Sequence, residues 1–123
     1  MIKQLEHIIG RVISDAVRID GNAHPDELQV AKQLLDDWRQ IEFHGELIDF
    51  NAWYIFQDQF KEDQDELITY RELEAFMEKY KKDLPENFGN DLVEACYRIA
   101  SATSQRNKAE LVFMSKIRSI VEK

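Results

Sequence analysis

Glycine and proline are scarce in this chain, with four glycines and two prolines among 123 residues. Strand-rich proteins need turn residues at short intervals, so so few breakers argue against an all-β architecture and favour long helices. Cysteine is nearly absent. The single Cys96 excludes a disulfide within the chain and any Cys-x-x-Cys metal or redox pair. Positive charge is in deficit, leaving a formal net charge of −8. A phosphate backbone repels such a chain, and nucleic-acid binding calls for clustered Lys and Arg. No apolar run approaches the roughly 18 residues of a membrane span. The stretch from Met1 to His7 lacks the apolar core and cleavage site of a signal peptide. The cytoplasm is therefore the expected compartment.

The length suits one domain spanning 1–123. Apolar residues recur at three- and four-residue steps in six segments, the spacing of one buried helix face. Leu5, Ile8, Ile9, Val12, Ile13, Ala16 and Ile19 mark the first, over about 2–19. Asp20 and Gly21 end it, glycine suiting the left-handed residue that closes many helices. Pro25 opens the second, with Asp26 and Glu27 placed to complement the exposed N–H groups of its first turn. Its stripe is Leu28, Ala31, Leu34, Leu35, Trp38 and Ile41. A third helix is expected over about 47–61 after Gly45, carrying Ile48, Ala52, Ile55, Phe56 and Phe60 inward. Residues 62–66 then read as an acidic, solvated loop.

Thr69 and Glu72 form a capping box, which starts the fourth helix there and lets Pro85 stop it. A turn at 87–90 precedes the fifth helix, about 91–102, which buries Leu92, Ala95, Cys96 and Ile99. The sixth, about 107–122, buries Leu111, Met114, Ile117, Ile120 and Val121. The expected fold is all-α, a six-helix bundle with no β-sheet.

Familiar catalytic patterns are missing. The glycines are too far apart for a phosphate loop, and no serine lies in Gly-x-Ser-x-Gly. His-Glu-x-x-His is absent, and the residues three before His7, His24 and His44 are Gln4, Gly21 and Ile41, which removes the Glu-x-x-His of di-iron bundles. Cys96, set among Val93, Ala95 and Ile99, reads as core. One segment, 61–72, has the outline of a calcium loop, with Asp63, Asp65 and Glu72 at its third, fifth and twelfth positions. Lys61 stands where the first carboxylate belongs, however, and Glu66 replaces the glycine of the sharp turn.

Two junctions share a layout. From Arg18 to Leu28, Asp20 and Gly21 end a helix and Glu27 follows in the next one. From Ser101 to Leu111, Thr103, Ser104, Glu110 and Leu111 take the places of Asp20, Gly21, Glu27 and Leu28. Repeated punctuation suggests two pseudo-repeated helical hairpins. This arrangement resembles the tellurite-resistance TerB-like family, whose domains are all-helical and in many members carry two hairpins with Asp-Gly followed by Glu. The resemblance implies a non-enzymatic helical module of the stress response that binds a protein partner. It also implies a divalent-cation site, for Ca²⁺ or Mg²⁺, at Asp20, Glu27 and Glu110 with Asp26 adjacent. Thr103 and Ser104 depart from the family pattern and halve the loop chemistry. The same residues also serve as a helix C-cap and as first-turn carboxylates. A metal-dependent hydrolase using His24 beside these carboxylates has no identifiable general base.

Overall fold

The computed structural model describes residues 2–19, 25–38, 42–43, 46–47, 65–102 and 108–122. Within them lie five α-helices: α1 (Ile2–Arg18), α2 (Pro25–Trp38), α3 (Glu66–Tyr80), α4 (Phe88–Ala100) and α5 (Lys108–Val121). A 3-10 turn, Lys81–Asp83, extends α3. The all-helical expectation needs one amendment. Two short strands, β1 (Glu42–Phe43) and β2 (Glu46–Leu47), pair antiparallel, Glu42 opposite Leu47 and Phe43 opposite Glu46. The ladder flanks Gly45, where the helical pattern of the sequence breaks. The helix expected over 47–61 falls outside the described residues beyond Leu47, as do Trp53, Phe56 and Phe60.

α1 is the central element. It packs on α2, α3 and α4, while α5 closes the bundle against α3 and α4. Between Ile8 and Val17 only Arg11 is not fully buried. The stripe read from the sequence is buried as expected, but Gly10, Ser14 and Asp15 are enclosed with it. A helix covered on three sides has almost no face left for water.

The start of α3 differs from expectation for a local reason. Asp65, not Thr69, is the N-cap: its carboxylate accepts the Leu67 N–H at 3.0 Å. Glu66 then occupies the first turn, where a carboxylate complements the helix dipole. Thr69 is inside the helix and buried. α4 begins at Phe88, earlier than the turn residues suggested, because the Phe88 ring is buried beside Phe76, centroids 6.3 Å apart. Gly89 permits a close approach to α5, since a Cβ there would meet the Val121 Cβ at 3.1 Å. Pro85 lies beyond the helical residues, as its missing N–H requires.

The face of α5 keeps Ile117, Ile120 and Val121 inward as expected, with Met114 packed beside them, but differs at its start. Leu111 is 51% exposed, whereas Phe113 is 1% exposed and packs on Tyr70 at 5.9 Å. Four apolar residues in succession, 111–114, leave the inward position undetermined by periodicity. The largest ring takes it, because it removes the most apolar surface from water. Phe113→Ala is expected to cost about 3–5 kcal/mol in urea unfolding, and Leu111→Ala less than about 0.5 kcal/mol. Equal losses at the two positions would refute this orientation of α5.

Candidate functional site

Of the four acidic positions singled out in the sequence, the structure describes three, Asp26, Glu27 and Glu110. Asp20 lies outside the described residues, and so do the turns at 20–24 and 103–107 whose overlay would test the repeat. Asp26 is exposed. Glu27 and Glu110 are 1% and 2% exposed, each as the third residue of its helix. That matching position is where a carboxylate can reach back toward the helix start and meet the positive end of the dipole. α2 and α5 both pack on α4. Among the described residues no group of three or more His, Cys, Asp or Glu is arranged to hold a metal ion.

The calcium-loop outline over 61–72 meets a different backbone. Its residues from Glu66 onward are helical, whereas a calcium loop folds its ligand positions around the ion before the following helix is established. Glu72, at its twelfth position, is engaged elsewhere. Its carboxylate meets His7 Nε2 at 3.1 Å and Arg11 Nε at 3.6 Å.

Those contacts belong to a polar ladder between α1 and α3. His7, Arg11 and Asp15 are spaced four apart and therefore share one face of α1. Arg11 Nε donates to Thr69 Oγ1 at 2.9 Å, and the Thr69 hydroxyl donates to Asp15 Oδ2. The ladder runs from an exposed end at His7 to a buried one at Asp15, which is 5% exposed. Tyr80 extends it, its hydroxyl donating to Gln4 at 2.9 Å. Sequence reading did not single out Arg11 or Asp15. The spacing of His7, Arg11 and Asp15 was visible, but their partners are 54–65 positions away.

Burial sets the electrostatics at the inner end. It raises the Asp15 carboxyl above its ordinary value, against the opposing effects of the Thr69 hydrogen bond and the Arg11 and Arg18 charges. The Cys96 thiol is pushed up to about 12, by burial first and then by Asp15. That thiol is fully enclosed, in agreement with its reading as core, and is held in its unreactive form. Tyr70 is likewise raised to about 12, by burial and then by Glu66 and Asp15. The ladder thus orients α1 on α3, while burial raises the pKa of the acid at its inner end.

No protein-family model, curated protein or solved structure matches this chain. The resemblance to TerB-like domains therefore rests on the sequence pattern alone.

Because its folded-state pKa is raised, Asp15 binds its proton more tightly in the folded protein than in the unfolded chain. Its contribution to stability is present below the ordinary carboxylate pKa and is lost as pH rises through the raised value. Asp15→Asn keeps an oxygen to accept from Thr69 and removes the titration. Thermal melts should show the variant at least as stable as the wild type at about pH 7, with any advantage shrinking toward about pH 4. An Asn variant that loses ground as pH rises would contradict this linkage.

Proposed function

We infer that this chain is a non-enzymatic helical interaction module of the TerB-like kind, whose acidic hairpin turns hold a divalent cation weakly when it engages a protein partner. The observation that carries this reading is the equivalent burial of Glu27 and Glu110, each at the third position of its helix. Two carboxylates held at matching helix starts are the kind of oxygen donor that a hard cation such as Ca²⁺ or Mg²⁺ coordinates. Asp20 and Asp26 complete the proposed set of carboxylates. Because Thr103 replaces an aspartate, the affinity is expected to be low, on the order of 10⁻⁴–10⁻³ M.

The alternative, a calcium-responsive loop over 61–72, has less support, because helix α3 already begins at Glu66 and Glu72 is joined to His7 and Arg11. Differential scanning fluorimetry distinguishes the two. Millimolar Ca²⁺ or Mg²⁺ should raise the Tm of the native protein, and Asp20→Asn or Glu110→Gln should abolish that rise. Asp63→Asn should leave it intact. The reverse pattern would assign the ion to the loop, and no rise with either ion would discard the cation and leave only the partner-binding module.

A further inference from the structure

A groove of about 390 Å³ lies between the N-terminal half of α1 and the C-terminal half of α3, and none of Asp26, Glu27 and Glu110 lines it. Its size falls in the range of small-molecule sites. Ile8 and Phe76, both buried, and Ala75, exposed beside them, give it an apolar floor. Lys3 and Lys79 stand on its walls, and the Tyr80–Gln4 hydrogen bond closes the end near them. The Lys79 ammonium lies 5.2 Å from the centre of the Tyr80 ring. The opposite end is bounded by the joined pair His7 and Glu72.

Charge decides what such a groove receives. The chain carries a net −8, yet this wall presents two lysines, neither in an ion pair with a described residue. Its one acid, Glu72, is already met by His7 and Arg11. Glu72 is separated from Lys79 by seven helical residues, roughly 10 Å along the axis. An anion held at the lysine end is therefore kept away from that carboxylate, and the apolar floor spans the interval between.

The geometry points to a binding site for a small monocarboxylate with an apolar body, its carboxylate between Lys3 and Lys79 and its body along Ile8, Ala75 and Phe76. The apolar part is sized for an aliphatic chain or a single aromatic ring. Lysine supplies a mobile point charge suited to a lone carboxylate. Burial of the apolar body supplies the larger share of the affinity. Phosphate esters of greater charge lack a third cation here, since Arg11 is turned to Thr69 and Glu72.

Octanoate is a suitable probe, with octylamine as the control of equal apolar body and opposite charge. Titration of the full chain followed by amide NMR should give saturable shifts confined to residues 3–8 and 72–80. Lys3→Glu combined with Lys79→Glu should weaken octanoate about tenfold or more, since two attractions become repulsions. Ala75→Phe, at an exposed position, should block the groove, and both variants should melt like the wild type. Asp20→Asn should leave octanoate binding unchanged, which separates this site from the acidic turns. Equal binding of octylamine would overturn the proposal, as would shifts centred on another groove, such as the one beside Tyr97 and Leu111. Absence of saturation at low millimolar octanoate would overturn it as well.

Discussion

The enclosure of α1 by α2, α3 and α4 is the constraint on which the rest of this structure depends. Between Ile8 and Val17 this helix is surrounded on three sides, so its polar residues there must find partners on a neighbouring helix or bear the cost of desolvation. Arg11 and Asp15 meet Thr69 and Glu72 on α3. These contacts fix how α3 lies along α1. A displacement of one residue along either helix would separate the hydroxyl from both its partners. Apolar packing alone would tolerate several such offsets, because Leu and Ile side chains exchange neighbours at little cost.

The same enclosure explains the chemistry at the centre of the bundle. Asp15, Tyr70 and Cys96 are all shifted upward, and burial is the first cause in each case. Asp15 adds to the upward shift of both Tyr70 and Cys96. An interior of this kind favours neutral forms and is poorly suited to a nucleophile. Charged groups open to water lie instead at the periphery, such as Asp26 at the start of α2 and Lys3 and Lys79 beside the α1–α3 groove.

Glu27 and Glu110 illustrate how far sequence reading reached toward a site. Their shared place after a helix junction was legible from the repeated punctuation, and both occupy the same position in their helices. Their burial was not legible, since first-turn carboxylates are commonly solvated. The α1–α3 ladder was missed for a related reason. Thr69 followed by Glu72 has the form of a capping box, but Asp65 caps first, and the threonine hydroxyl turns to Asp15. A motif assigned from the four positions 69–72 had no knowledge of a carboxylate 54 residues away.

What the sequence by itself determined is the helical class, four of the five helices within a few residues of their ends, the stripe of α1 and the place of Cys96 in the core. These follow from local periodicity and from breakers such as Pro25 and Pro85, which act within a turn or two of themselves. The tertiary structure alone decided the inward face of α5, where Phe113 displaced Leu111, and the earlier starts of α3 and α4. It also decided which polar residues of α1 are structural and which line a groove. Those outcomes depend on competition for limited interior volume and on partners distant in the chain, and neither is encoded in the spacing of neighbouring residues.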